Sequence, residues 1–204
     1  GINVDYFDPS TTTETQEKQL LIEWQIDKSK KIILLPGRLT SWKGQETFIE
    51  ALSLVNKELG YDSFYAVILG SDQGRDVYKK KIVRLAEQYR LTNQLKFIKH
   101  CKNMPIAYKV SDLIVSASIE PESFGRVAVE AQSMEKPILA SNIGGSNETI
   151  ENNKTGFLFE AGNPVSLSNK ILKIFNLDES TLKSIGNEGR KNIIKKFNVE
   201  KMCF

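Results

Sequence analysis

The chain has 204 residues, 40% of them hydrophobic and 26% charged, which suits one medium-sized domain with a real core and excludes a disordered or fibrous chain. Lys and Arg number 28 against 25 Asp and Glu, and a net charge of +3 is too small for a duplex-binding surface, so nucleic acid is not an expected partner. One histidine, His100, and two distant cysteines, Cys101 and Cys203, exclude an ordinary four-ligand zinc site, a disulfide scaffold and any histidine triad built away from His100.

Residues 1–20 are polar and acidic rather than signal-like. Residues 1–30 read as a linker, with Pro9 and a Ser/Thr cluster, leading into a helix at about 14–24. From residue 31 to about 160, short β-rich runs alternate with runs of helical periodicity, the pattern of repeated βα units. Strands are predicted at 31–36, 64–69, 95–98, 113–116, 137–140 and 156–159, which is an α/β, Rossmann-like doubly wound parallel sheet of about six strands spanning residues 31–204. Helices are predicted near 44–59, 75–90, 104–110, 125–135 and 145–152, with two more at 164–176 and 179–196. In the first of these, Phe48, Ala51, Leu52, Val55 and Leu59 form one apolar stripe for packing on the sheet. The apolar runs IILL and YAVIL are strand-length, far below the roughly 20 residues of a membrane span. The chain begins in linker style and ends where another helix would start, as half of a larger protein would.

In such a sheet, ligands bind beyond the carboxyl ends of the strands, so the loops there carry the functional signal. The first, G-R-L-T-S-W-K-G at 37–44, brings Arg38 and Lys43 into one turn. A planar guanidinium and a flexible ammonium suit a diphosphate, although two solvated surface cations would look the same. It is neither a Walker loop nor a G-x-G-x-x-G turn. After the fourth strand, a turn with Glu120 and Glu122 leads through Phe124 and Gly125 into a helix beginning with Arg126 and Val127. The free N–H groups and the positive dipole end of that helix make a natural phosphate site. Glu122 precedes the helix and Glu130 lies within it, yet 17 Glu in 204 positions give about one pair eight apart by chance, so spacing alone says little. Glu130 by itself also reads as a helix-surface carboxylate. Gly144-Gly145 could cradle a ligand or make a tight turn. Lys99, His100, Cys101 and Lys102 follow the third strand, and Lys79, Lys80, Lys81 and Arg84 read as a solvated helix face that could also touch anionic lipid. No D-x-D pair occurs, and no metal is expected.

Taken in order, GINVDYFDP, LLPGRLTSWKG, ILGSDQG, SDLIVSASIEPESFGRVAVEAQSMEKPILASNIGG and ETIENNKTGFLFEAGN resemble glycosyltransferase family 4, the retaining sugar-nucleotide transferases of GT-B architecture. The match covers nearly all of residues 1–165 and is similar to the carboxyl-terminal, donor-binding half of such enzymes, in the form found in bacterial lipopolysaccharide and capsule synthesis. The resemblance implies a nucleotide-diphosphate sugar as substrate and no cofactor. It implies that Arg38 and Lys43 grip the diphosphate and that the amides of Phe124, Gly125, Arg126 and Val127 hold sugar and phosphate. Glu122 would meet the sugar hydroxyls, Glu130 the ribose, and the loop with His100 and Cys101 the nucleobase. A glycan or lipid-linked acceptor would be held by an amino-terminal half, without which this chain is expected to transfer nothing. The implied location is the cytoplasm, with peripheral contact at the inner membrane face. Two departures stand out: Lys99, where a glycine is usual, and Glu135, in a segment that often carries one. The rival readings are a GT-B sugar-nucleotide epimerase, a non-catalytic nucleotide-binding module and a nicotinamide-binding Rossmann domain.

Overall fold

The computed structural model describes residues 1–197. Its elements are α1 (Glu14–Trp24), β1 (Lys31–Pro36), α2 (Gln45–Leu59), β2 (Phe64–Leu69), α3 (Asp76–Gln88), β3 (Leu95–Ile98), α4 (Met104–Val110), β4 (Leu113–Ser116), α5 (Arg126–Ser133), β5 (Ile138–Ser141), α6 (Ser146–Thr149), β6 (Phe157–Phe159), α7 (Pro164–Phe175) and α8 (Glu179–Lys196). The six strands pair in parallel in the order β3-β2-β1-β4-β5-β6. A parallel strand is buried on both faces, and the near-continuous apolar runs KIILLP, FYAVIL and LIVS answer that requirement.

Side chains alternate across the sheet and divide the core in two. Ile33, Leu35, Ala66, Ile68, Leu113 and Val115 pack under α2, α3 and α7, whereas Ile32, Leu34, Val67, Leu69 and Ile114 pack under α1, α4 and α5. The long helix α8 spans both layers, placing Ile185 in the first and Ile193 in the second. The stripe expected on α2 is buried at Phe48, Ala51, Leu52 and Val55, but it ends a turn early: Leu59, next to Gly60, is largely exposed. Residues ahead of β1 join the second layer through Ile2, Val4, Phe7, Leu20, Trp24 and Ile26. Arg190 of α8 fastens that segment by donating to the carbonyl of Phe7 and pairing with Asp8.

Several boundaries differ from expectation for local reasons. The helix expected at 145–152 is the single turn Ser146–Thr149, because Ile150 turns extended and Thr155 Oγ1 takes the N–H of Glu151. Short 3-10 turns at Pro9–Thr11 and Ser41–Lys43 were not anticipated. The further helix start expected near the carboxyl end, and Cys203, lie outside the described residues. Among the described residues no helix is long and apolar enough to cross a membrane.

The end of α5 explains the departure at Glu135. The Glu135 N–H bonds the carbonyl of Gln132, the Lys136 N–H bonds that of Ala131, and Glu135 itself has φ +55°. This is the left-handed residue of a Schellman stop, the position that favours glycine. A Cβ there costs about 1–2 kcal/mol, while the Glu135 carboxylate, 3.7 Å from Arg190 and 41% exposed, returns little. Glu135→Gly is therefore expected to raise the unfolding free energy by up to about 1 kcal/mol, after the added entropy of an unfolded glycine is subtracted. Urea denaturation measures it, and a loss of stability would show that the Arg190 contact outweighs the strain.

Candidate active site

The sheet order reverses between β1 and β4, so the chain leaves these neighbouring strands toward opposite faces and a crevice opens at their carboxyl ends. A cleft of about 630 Å³ lies there. Its first wall is the turn after β1, which close packing holds in place. Gly44 has φ +69°, and a Cβ on it would stand 1.8 Å from the carbonyl oxygen of Ala117 at the end of β4. The Ile119 N–H also donates to the carbonyl of Trp42 at 2.8 Å, which ties the turn after β1 to the turn after β4. On this base Lys43 Nζ lies 4.5 Å from the centre of the Trp42 ring, and Arg38 Cζ lies 5.7 Å from it. Both cations line the cleft. Arg38 is exposed, whereas the Lys43 side chain is only 13% exposed.

The opposite wall is the turn after β4. Glu122 Oε2 pairs with Lys43 Nζ at 2.7 Å, and its Oε1 accepts a hydrogen bond from Ser118. Its backbone rests on Gly144 and Gly145: the Gly145 N–H donates to the Glu122 carbonyl at 2.7 Å, and a Cβ at Gly144 would stand 2.7 Å from that same peptide oxygen. Of the two readings of the Gly-Gly pair, the structure realises the tight turn, which supports the Glu122 loop from behind and does not line the cleft.

Helix α5 starts at the cleft with Gly125 as its N-cap and no side chain closing its first turn. The leading N–H groups of a helix have no intrahelical partner, and together with the dipole they favour an anion. One turn on, Glu130 is only 8% exposed and lines the cleft floor. Its Oε2 accepts from the fully buried Tyr108 hydroxyl at 2.7 Å and its Oε1 from Arg126 at 3.1 Å. Burial pushes the Glu130 carboxyl above the usual range, while Tyr108 and Arg126 pull against that rise. Burial, with the Glu130 charge beside it, drives the Tyr108 phenol well above its ordinary value, so it remains a donor.

The third side is the turn after β3. Lys99, His100 and Cys101 line the cleft, with His100 exposed. Burial pushes the Cys101 thiol up, and it donates to the Asn103 carbonyl at 3.2 Å, which suits a packed group and not a nucleophile. The structure thus gathers Arg38, Lys43, His100, Cys101, Glu122, Arg126, Val127 and Glu130 around one space. Phe124 and Gly125 are not in its lining: the Phe124 ring packs against Phe197 at 6.0 Å, and Gly125 is buried at the helix cap. Sequence reading missed Ser118 and Tyr108 as partners of the two glutamates, since a Ser near a strand end and a Tyr in an apolar helix carry no signal of their own. Among the described residues no group of three or more His, Cys, Asp or Glu is placed to hold a metal ion.

A family model described as "Glycosyl transferases group 1" matches residues 16–192. The chain belongs to the group 1 glycosyl transferases. Its fold is the carboxyl-terminal half of the GT-B architecture. A glycosyltransferase of Rickettsia africae superposes with a TM-score of 0.94 at 36% identity, over 99% of this chain and 52% of that one. HepE of Anabaena, solved with UDP and glucose, gives 0.88 at 25% identity over 99% of this chain and 53% of that one. CapM of Staphylococcus aureus, a capsular polysaccharide biosynthesis glycosyltransferase, is 29% identical over 79% of this chain and 41% of its own length. The chain thus spans less than half the length of that relative.

In this glycosyl transferase domain the close approach of Gly44 to Ala117 fixes the cation-bearing turn. Gly44→Ala combines a left-handed backbone with a clash against a carbonyl and is expected to cost at least about 2 kcal/mol. Chemical denaturation would show it, and a neutral outcome would mean that the turn after β1 can relax away from β4.

Proposed function

We propose that the domain is the donor half of a retaining glycosyltransferase that takes a nucleotide-diphosphate sugar and passes the sugar to a glycan or lipid-linked acceptor in cell-surface polysaccharide synthesis. The observation that carries the reading is the convergence, in one crevice at the β1/β4 reversal, of two cations, an uncapped helix start and two anchored carboxylates. HepE, which shares this fold, was solved with UDP-glucose, in keeping with that substrate class.

Arg38 and Lys43 take the diphosphate, with the amides opening α5. Glu130 takes the ribose hydroxyls, and the turn with His100 and Cys101 lies beside the base. Lys43 is paired with Glu122, so an arriving diphosphate competes for that ammonium and releases the Glu122 carboxylate toward the sugar hydroxyls. As the bond from the anomeric carbon to phosphate oxygen breaks, its electron pair goes to the diphosphate. Fixed cations and helix amides stabilise that charge more in the transition state than in the ground state. The acceptor oxygen attacks from the face the diphosphate leaves, and its proton passes to the departing phosphate oxygen, so configuration is kept without a covalent intermediate on Glu122. A second domain that holds the acceptor and closes over the donor excludes water and aligns the reactants. The protein then works in the cytoplasm, at the inner membrane face when the acceptor is lipid-linked.

Calorimetric titration with UDP, GDP, ADP and CMP is expected to show a preferred nucleotide, bound about 10- to 100-fold more weakly by Arg38→Ala through loss of a charge-assisted contact to phosphate. Failure of all four to bind at millimolar concentration would count against the donor reading. The 204-residue chain by itself is expected to bind without transferring, and efficient sugar transfer by it would overturn the need for an acceptor domain. The pH dependence follows from Glu130, whose folded-state value is raised. The folded state therefore takes up its proton before the unfolded chain does, so acidification removes the ribose acceptor without destabilising the fold through this group. Affinity is expected to fall at a pH above the usual carboxylate range, and this acid limb should vanish in Glu130→Gln.

A further inference from the structure

We infer that Tyr108 is a positioning residue for nucleotide recognition: its buried hydroxyl anchors one oxygen of Glu130 and so aims the carboxylate at the ribose of the bound donor. The inference rests on the donor reading and adds to it a residue on a different helix that itself has no contact with the cleft.

Tyr108 sits in α4 with no exposed surface, its ring edge-on to Phe7 at a centroid distance of 6.0 Å. Packing alone would be satisfied by phenylalanine. A buried phenol needs a hydrogen-bond partner, and the partner here is Glu130 Oε2, 2.7 Å away across the interface between α4 and α5. The other carboxylate oxygen is held by Arg126, whose side chain is 80% exposed and on a long, mobile stem. The two holds are therefore unequal: one is dry and rigid, the other wet and replaceable. A ribose hydroxyl arriving from the cleft can displace or share with the exposed Arg126, while the buried Tyr108 hydroxyl keeps hold of the other oxygen. The phenol thus fixes the carboxylate rotamer and leaves one face of it open to the ligand.

The contact also bears on charge. Burial disfavours the Glu130 carboxylate, and the Tyr108 and Arg126 hydrogen bonds oppose this. The cleft adds Lys43 and Arg38 from the turn after β1, Lys99 and His100 from the turn after β3, and Glu122 across the space. Among the described residues, Tyr108 is the partner that acts on the carboxylate from within the core.

The test compares binding of UDP, GDP or ADP, whichever binds most tightly, with binding of its 2′,3′-dideoxy analogue, in the wild type, Glu130→Ala and Tyr108→Phe. The wild type should prefer the natural nucleotide, and Glu130→Ala should lose the preference. Tyr108→Phe should lose about ten-fold of the preference, while binding the dideoxy analogue as the wild type does and moving the acid limb of the binding profile to higher pH. Site-specific 3-fluorotyrosine at 108, which keeps the shape and strengthens the donor, should retain the preference and move the acid limb the other way. A Tyr108→Phe protein that keeps the full preference, or that weakens both ligands equally, would overturn the inference. If Glu130→Ala keeps the preference, the ribose role of Glu130 fails as well.

Discussion

The pairing of β1 with β4 is the constraint on which the rest depends. Ile33 lies against Leu113 and Leu34 against Ile114, joining strands whose onward connections run to opposite faces of the sheet. Once these strands are neighbours, their loops must diverge, and the crevice between them follows from topology before any functional side chain is chosen. The close contact of Gly44 with the Ala117 carbonyl is the local expression of the same pairing. It draws the two loops together at their base, so that Lys43 and Glu122 meet above it.

Within that crevice the charges are held in two different ways. Lys43 and Glu122 satisfy each other at low exposure, and a ligand anion that takes Lys43 exchanges with the Glu122 carboxylate. Glu130 is treated as a core residue would be, with a buried phenol beneath it and a guanidinium at its open side. The first arrangement is labile because its partners come from loops. The second is rigid on the oxygen that buried Tyr108 holds and open on the oxygen that exposed Arg126 holds. This division suits a site in which one carboxylate must change partners during a reaction while the other recognises a constant part of the substrate.

The outer helices show how the sheet's needs set the sequence around the site. Helix α8 closes both core layers and, through Arg190, ties the segment before α1 to the end of α5. Glu135 accepts a strained backbone at that same junction, where the stop of α5 and the start of β5 must be close together. The stop at this point ends α5 after two turns, and its amino-terminal end is the part of the helix that reaches the cleft.

Much of this was legible in the residues. Six strands and the helices between them follow from alternating periodicities, since a parallel sheet needs short runs apolar on both faces and its crossovers need one apolar stripe. The gathering of Arg38, Lys43, Glu122 and Glu130 around one cleft was also legible, because strand-end loops and a motif in fixed order mark them. The anchors of the glutamates were not. Ser118 and Tyr108 lie 4 and 22 positions from the carboxylates they bond, and nothing in a sequence tells a hydroxyl bonded to a carboxylate from one bonded to water or to backbone. The sequence by itself determined which elements form and which loops carry charge, because those depend on local periodicity and residue type. Only the tertiary structure decided that Lys43 faces Glu122, that Gly144 and Gly145 support a loop and line no cleft, and that Tyr108 reaches Glu130, because each depends on packing between segments distant along the chain.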